Sequence, residues 1–151
     1  MFFHSKWIKK RKFALSKLSD VRQTEHNANS RREANALGVL GEQMAAKYLE
    51  DNGYLIVERN FRSGKHEIDI LALKDGQLVV VEVKTRSDDE LIAPEEAVDH
   101  KKRQSLIWAA NDYVLRHKRQ EPVRFDIITL VKTGEDTELH HIEDAFNVFC
   151  Y

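Results

Sequence analysis

The stretch from Glu67 to Lys84 constrains the fold of this chain more than any other, because it predicts one tight β-hairpin. Two runs rich in Val, Ile and Leu, residues 68–73 and 78–83, flank an Asp75-Gly76 pair. Asp-Gly between two such runs is a strong signal for a two-residue turn, since both central positions tolerate positive φ. We therefore expect two antiparallel strands that meet at this turn.

A turn centred on this pair also predicts the register, with Asp69 opposite Glu82 and Glu67 opposite Lys84. Because side chains alternate with period two, these four charged groups share one face of the hairpin, at its open end. That face continues toward the turn with apolar residues, namely Leu71, Leu73, Leu78 and Val80. The other face is entirely apolar and consists of Ile68, Ile70, Val79, Val81 and Val83. Charges so close to a core are costly unless they are paired or bind a metal.

Asp69 and Glu82 are placed to share one divalent cation, since opposed residues have Cβ atoms roughly 4.5–5.5 Å apart. Ligation by oxygen alone favours Mg²⁺ or Mn²⁺. Lys84 follows on the same face, where it could orient or deprotonate a water or stabilise developing charge. The structural alternative is a stabilising cross-strand charge cluster.

Asp69 together with Glu82-Val83-Lys84 resembles the core motif of the PD-(D/E)XK nuclease superfamily. Surrounding segments resemble the YraN-like uncharacterised bacterial family, which is similar to archaeal Holliday junction resolvases, over residues 36–147. These segments are Gly38-Val-Leu-Gly-Glu42, Ala45–Leu49, Gly53-Tyr54, Arg59-Asn60, Glu67-Ile-Asp69, Val81–Arg86, Pro94–Val98, Lys102, Leu106, Ala109 and Arg124-Phe-Asp126. Glycine usually directly precedes the Glu-Ile-Asp motif in that family, whereas Lys65-His66 intervene here.

The resemblance implies a metal-dependent DNA endonuclease with Asp69, Glu82, Lys84 and Glu42 as catalytic residues. The three carboxylates among them would hold Mg²⁺ or Mn²⁺. Glu42 also lies at the margin of the apolar stripe of a helix predicted over residues 36–52, where an ordinary boundary glutamate is the alternative. A non-catalytic module that binds nucleic acid or a partner protein is the alternative function for the whole chain.

Four basic residues are expected to contact DNA phosphates, namely Arg62, Lys65, Arg86 and Lys102. Solvated surface charges are the ordinary alternative for such residues. The resemblance points to branched DNA. The sequence leaves open whether the substrate is a junction, a flap, a nick or RNA, and whether the chain forms a homodimer.

The order of predicted elements gives an α/β (α+β) sandwich, in which helices flank a mixed central β-sheet. The resemblance implies the restriction-endonuclease-like version of this fold. Outside the hairpin, the elements are a helix over 36–52, a strand over 54–60, a helix from Pro94 to residue 118, and strands over 123–131 and 139–142. His140 and His141 are adjacent in the last strand, so they point to opposite faces and cannot both bind one ion.

We divide the chain into a basic arm, residues 1–35, and a nuclease-like domain, residues 36–151. The first 36 residues carry nine Lys or Arg against three Asp or Glu, a net charge of +6, which leaves −7 for the other 115. An acidic body argues against broad affinity for nucleic acid. The arm is either a partly disordered segment with a short helix or a contact to nucleic acid or an anionic surface.

Cysteine use and hydropathy exclude several other classes of protein. A single cysteine, Cys150, cannot form an intramolecular disulfide and fits a reducing bacterial cytoplasm. No apolar run approaches the ~20 residues of a membrane-spanning helix. No apolar block follows the early charges, as a secretory signal would require.

Overall fold

The computed structural model describes residues 9–14, 28–87 and 98–148. Over these ranges the chain forms six strands and two helices. In chain order they are β1 (Lys9–Ala14), α1 (Ala28–Asp51), β2 (Leu55–Ser63), β3 (His66–Lys74), β4 (Gln77–Ser87), α2 (His100–Arg116), β5 (Val123–Thr133) and β6 (Asp136–Phe146). The strands form one sheet in the order β1-β6-β5-β4-β3-β2, in which only β4 and β5 are parallel. The predicted mixed α/β sandwich is confirmed.

The two helices cover opposite faces of the sheet. One face packs against α1 through a cluster that includes Ala45, Tyr48, Leu49, Ile70, Val79, Val81 and Ile128. The other face packs against α2 through a cluster that includes Ile68, Leu71, Leu78, Val80, Leu106, Ala109, Tyr113 and Phe125. A parallel pair is normally buried on both faces, and β4 accordingly alternates its buried valines between the two clusters.

The hairpin of β3 and β4 has the predicted turn, with φ of 49° at Asp75 and 75° at Gly76. Its register is also as predicted, from Lys74 opposite Gln77 to Ile70 opposite Val81. Beyond Ile70 the pairing of the two strands ends, while β3 stays paired with β2 and β4 stays paired with β5. We call the place where this pairing ends the fork.

The prediction that Glu67 faces Lys84 is therefore wrong. Glu67 lies opposite Arg62 on β2, and Lys84 lies opposite Thr129 on β5. The turn sets the register near it, but the pairing of β3 with β4 ends at Ile70 and Val81. Turn geometry alone could not predict where that pairing ends.

The prediction that Ile68 shares a face with Ile70 is also wrong, since Ile68 packs on the α2 side and Ile70 on the α1 side. The change of side falls opposite a distortion in β2, where Asn60 has φ of 54°. The residues on either side of Asn60, Arg59 and Phe61, pair with Ile70 and Ile68 respectively. Asp69 therefore lies on β3 opposite a left-handed residue, at the position where the two isoleucines change sides.

Parts of the expected N-terminal arm belong to regular structure. Helix α1 begins at Ala28, ahead of the expected start. Residues 9–14, part of the arm that was expected to be partly disordered with a short helix, form a strand that pairs antiparallel with β6, from Lys9 opposite His141 to Ala14 opposite Asp136. The rest of the arm before Ala28 lies outside the described residues.

Helix α2 starts at His100, where the side chain of Asp99 accepts a 2.7 Å hydrogen bond from the backbone N–H of Lys102. The predicted helix start at Pro94 lies outside the described residues. In the part of the chain that the structure describes, neither helix combines the length and apolar character needed to cross a membrane.

Candidate functional site

The fork places two carboxylates beside each other on adjacent strands. Glu82 of β4 is almost fully buried, with 1% of its surface exposed. The carboxylate of Asp69 on β3 accepts a 2.7 Å hydrogen bond from the backbone N–H of Val83. A side chain thus replaces the backbone pairing that ends at Ile70, and it holds Asp69 against the strand that carries Glu82.

The environment of Asp69 disfavours its charged form. Burial, and then the negative charge of Glu82, raise the pKa of Asp69 to about 7. The hydrogen bond from Val83 and the positive charge of Lys102 act in the opposite direction, and the charge of Glu42 adds to the rise. Asp69 is therefore poised to ionise near neutral pH, and a bound cation would favour its ionised form.

Two ammonium groups contact the buried carboxylate of Glu82. Nζ of Lys84 lies 2.8 Å from one carboxylate oxygen, and Nζ of Lys102 lies 3.0 Å from the other. The second oxygen, Oε2, has no contact of hydrogen-bond geometry among the described residues. Lys102 comes from α2, so the helix that covers one face of the sheet is tied to the fork. From the sequence, Lys102 was expected to contact a DNA phosphate, and its contact with Glu82 was not predicted.

Glu42 approaches the fork from the other face, on α1. Its carboxylate is 4.0 Å from the guanidinium of Arg59, and its side chain is 22% exposed. The preceding residue must be small, because a Cβ added at Gly41 would collide with Oγ1 of Thr85 on β4. This glycine lets α1 approach β4 closely enough to bring Glu42 near the carboxylate pair.

The carboxylates at the fork form a pair with Glu42 nearby. In residues 28–87 and 98–148, no three His, Cys, Asp or Glu side chains converge in a way that could hold a metal ion. The three expected metal ligands, Asp69, Glu82 and Glu42, therefore do not converge on a single position where all three could bind one ion. Asp69 and Glu82 are the two oxygen-bearing groups that lie together.

The other expected DNA contacts are spread around the fork. Arg62 forms an exposed ion pair with Glu67, with 3.3 Å between the charged atoms. Lys65 lies in the turn between β2 and β3. Arg86 is two residues beyond Lys84 on β4 and shares its face by strand alternation. The structure thus brings Lys102 to the carboxylates and leaves Arg62 with a partner of its own.

A second polar cluster, which we call the Asp126 network, lies on the α1 face. Arg124 donates two hydrogen bonds to Asp126, at 2.9 and 2.8 Å. Nε2 of His141 lies 2.9 Å from Asp126, and the backbone N–H of Asp144 donates to it at 3.0 Å. Burial pushes the pKa of Asp126 upward, but the bonds from His141 and Arg124 outweigh it and hold that pKa below its ordinary value.

From the sequence, Arg124 and Asp126 were noted only as part of a segment that resembles the family, and their ion pair was not predicted. No role was predicted for His141. The available signal was an arginine and an aspartate two residues apart in an otherwise apolar strand, because such buried charges need a partner.

The comparisons with known proteins agree on one family. The model of "Uncharacterised protein family UPF0102" matches residues 41–130, which contain the carboxylates and both lysines of the fork. A UPF0102 protein of Bacteroides thetaiotaomicron is 47% identical over 114 residues, or 76% of this chain and 94% of the relative. One from Flavobacterium johnsoniae is 48% identical over 121 residues, or 78% and 98%. The chain therefore belongs to the UPF0102 family.

Proposed function

We propose that this protein is a metal-dependent hydrolase that cleaves phosphodiester bonds in DNA. The observation that carries the proposal is the pair of adjacent carboxylates at the fork, the partly buried Asp69 and the buried Glu82, with a lysine at each oxygen of Glu82. Burying two like charges side by side is costly. A divalent cation would offset that repulsion. A purely structural cluster could avoid the repulsion altogether by having a neutral residue in place of one of the two carboxylates.

The residues at the fork fit Mg²⁺ or Mn²⁺. Both ions prefer oxygen ligands, and Mg²⁺ is commonly held by only one or two carboxylates together with waters and substrate phosphate. Asp69 and Glu82 would be those two carboxylates, and the ion would take the place of Lys102 at Oε2 of Glu82, where the ammonium contact lacks hydrogen-bond geometry. Glu42 would join from α1. When bound, the ion would lower the pKa of a water and neutralise phosphate charge.

Hydrolysis joins a water oxygen to phosphorus, breaks one P–O ester bond and transfers the water proton to the departing sugar oxygen. Lys84 would orient that water and stabilise the charge that develops on the phosphate oxygens. Lys102 would hold Glu82 in position from α2 before the ion binds. Arg62, Lys65 and Arg86 would contact neighbouring phosphates along the strand.

A different function is favoured by one specific observation. Both oxygens of Glu82 already have an ammonium within 3.0 Å, an arrangement that is complete without any metal. The second candidate is therefore a non-catalytic module that binds nucleic acid or a partner protein on the same scaffold. It predicts that neither Mg²⁺ nor Mn²⁺ binds at the fork.

Calorimetry of Mg²⁺ and Mn²⁺ binding to the full chain, paired with cleavage of labelled branched and linear DNA, separates the two functions. We expect Asp69→Asn and Glu82→Gln to abolish metal binding and cleavage together. Glu67→Gln is the matched control, because Glu67 lies on the same strand and pairs with Arg62 away from the fork. Metal binding that survives both fork substitutions, or a parent chain that neither binds metal nor cleaves DNA, would reject the hydrolase proposal.

A further inference from the structure

An open groove lies between the β2–β3 turn and the outer side of α2. Its volume is about 580 Å³, and its lining consists of Lys65, His66, Lys101, Gln104, Ser105 and Trp108. Nδ1 of His66 lies 2.8 Å from Oγ of Ser105, which joins β3 to α2 at this point. The groove is therefore a defined surface with hydrogen-bonded walls.

Trp108 gives the groove an aromatic surface. Its side chain is 66% exposed, although other apolar residues of α2, such as Leu106 and Ala109, are fully buried. A single exposed apolar residue is ordinary on a protein surface. An indole beside two lysines is more specific, because a flat π-face and positive charges together match the bases and phosphates of a nucleic acid.

The charges of the groove also favour an anionic ligand. Lys65 and Lys101 have no carboxylate partner among the residues that the structure describes. No acidic side chain lines the groove. An acidic body with a local basic and aromatic groove would direct nucleic acid to this surface and away from the rest.

We propose that this groove binds a single-stranded segment of DNA, with a base stacked on Trp108 and phosphates at Lys65 and Lys101. This inference rests on the proposed function, and it narrows the substrate class to DNA with an unpaired segment. A single strand is favoured over a duplex because the faces of paired bases are already stacked on each other, whereas every unpaired base offers a face to an aromatic side chain.

The groove is built from the same two elements, β3 and α2, that carry Asp69 and Lys102 of the fork. Lys101 precedes Lys102, whose ammonium contacts Glu82, and Trp108 lies six residues further along α2, roughly 9 Å along the helix axis. On the opposite wall, His66 is three residues before Asp69 on β3. A strand bound in the groove would therefore lie close to the elements that carry the carboxylates, as the unpaired arm of a branched substrate would.

Tryptophan fluorescence can test this proposal without any cleavage. The chain has two tryptophans, Trp7 and Trp108, so Trp7→Phe leaves one probe in the groove. We expect an oligothymidylate of about 12 nucleotides, added in EDTA, to quench that probe, and a blunt duplex of equal length to quench it much less. Variants at Trp108 lack this probe, so their affinity is measured by the anisotropy of a fluorescein-labelled oligothymidylate. Trp108→Leu should weaken binding of the oligonucleotide roughly 5- to 100-fold, while Trp108→Phe retains most of the affinity.

Leu115→Ala is the matched control, since Leu115 lies on the same helix, is 69% exposed and does not line the groove. It should bind the oligonucleotide like the parent chain. Replacing both Lys65 and Lys101 with alanine should reduce the slope of log affinity against log salt by about 1.4, or about 0.7 for each phosphate contact to a single strand. A Trp108→Leu chain that binds as tightly as the parent, or equal quenching by the duplex, would overturn the groove proposal.

The same assay separates this proposal from the hydrolase proposal. Because it is done in EDTA, quenching by the single strand would support the groove even if the chain cleaves no DNA. Cleavage without quenching would reject the groove and leave the hydrolase function standing.

Discussion

Lys102 on α2 and Glu82 on β4 form an ion pair across the α2 face of the sheet, with Nζ 3.0 Å from Oε2. The carboxylate is nearly fully buried, whereas the lysine side chain is 30% exposed. A buried carboxylate that loses a counter-charge is strongly destabilised. The pair therefore connects the packing of α2 to the charge balance of the fork.

Lys102→Met should lower the free energy of unfolding by on the order of 1–3 kcal/mol. The substitution keeps most of the side-chain volume and removes the ammonium, and Lys84 remains to limit the loss. In a Glu82→Gln background the same substitution should cost much less, because no buried charge remains to be balanced. Urea unfolding of the two single variants and the double variant measures this coupling. An equal cost in both backgrounds would show that packing, and not the ion pair, is responsible.

Gly41→Ala should destabilise the chain by about 1–3 kcal/mol, since overpacking at a close contact forces a backbone or side-chain shift. The new Cβ would collide with Oγ1 of Thr85, so the Thr85 side chain would have to rotate or α1 would have to move away from β4. Thermal unfolding measures the loss, and adding Thr85→Ala should recover part of it.

Gly38→Ala is the matched control for this change, because it lies on the same helix and a Cβ there has nothing within 4 Å. It should be neutral or stabilise by roughly 0.5–1 kcal/mol, as alanine is a better helix former than glycine. If both substitutions have the same effect, the close approach of α1 to Thr85 does not matter for stability.

The folding pattern near the turn could be predicted from sequence because the signal is local. Asp75-Gly76 fixes the register of the nearest pairs whatever lies outside the hairpin. The loss of pairing at Asp69 and the reversed side of Ile68 could not be predicted in this way, since they coincide with the positive φ of Asn60 in the neighbouring strand. A positive φ at an asparagine inside a strand leaves little trace in the hydrophobic pattern.

Contacts between segments that are far apart in the sequence were the second feature that could not be predicted from the sequence. Sequence pattern brought Asp69 and Glu82 together, and resemblance added Glu42. It could not place Lys102 against Glu82, because that contact depends on how α2 packs on the sheet. The pairing of β1 with β6 joins segments more than 100 residues apart, and a stretch as basic as residues 9–12 gives no strand pattern to predict it.

Asp126→Asn should destabilise the chain at neutral pH by on the order of 2–4 kcal/mol, because it weakens the bonds to Arg124 and His141. The pKa of Asp126 is lower in the folded state than its ordinary value. Between those two values the unfolded chain binds more protons, so stability rises with pH. The contribution of the carboxylate is complete above its ordinary pKa of 3.8 and is lost as pH falls through the folded value.

Urea unfolding at pH 7 and near pH 3 checks this prediction, and the difference between variant and parent should shrink at the acid pH. Asp51→Asn is the control, since Asp51 pairs with Lys47 on the exposed side of α1. Its effect should stay within about 0.5 kcal/mol at both pH values. A penalty for Asp126→Asn that does not depend on pH would contradict the assigned shift.

Deletion of residues 1–27 should leave a chain that still unfolds cooperatively, because both apolar clusters are built from residues between α1 and β6. It removes β1, an edge strand whose sole partner in the described sheet is β6. We expect a loss on the order of 1–3 kcal/mol and more self-association, since β6 becomes an open edge. Circular dichroism melting measures the loss of stability, and size-exclusion chromatography measures self-association.

Deletion of residues 1–8 retains β1 and serves as the control. If the two deletions have the same effect, β1 contributes nothing to stability or to protection of the β6 edge.

Lys84→Met should separate metal binding from cleavage. Asp69 and Glu82 supply the oxygen ligands in the proposed function, so Mg²⁺ affinity measured by calorimetry should stay close to that of the parent. The ammonium of Lys84 acts on the water and on developing charge, and groups of this kind contribute about 10² to 10⁴ in rate. The rate of single-turnover cleavage of labelled DNA should fall by that factor, while Lys47→Met, on the exposed side of α1, should cleave at the rate of the parent chain.

Because Lys84 also lies 2.8 Å from Glu82, the melting temperature must be measured in parallel. A variant that unfolds, or one that cleaves like the parent, would assign Lys84 to charge balance at Glu82 and not to chemistry.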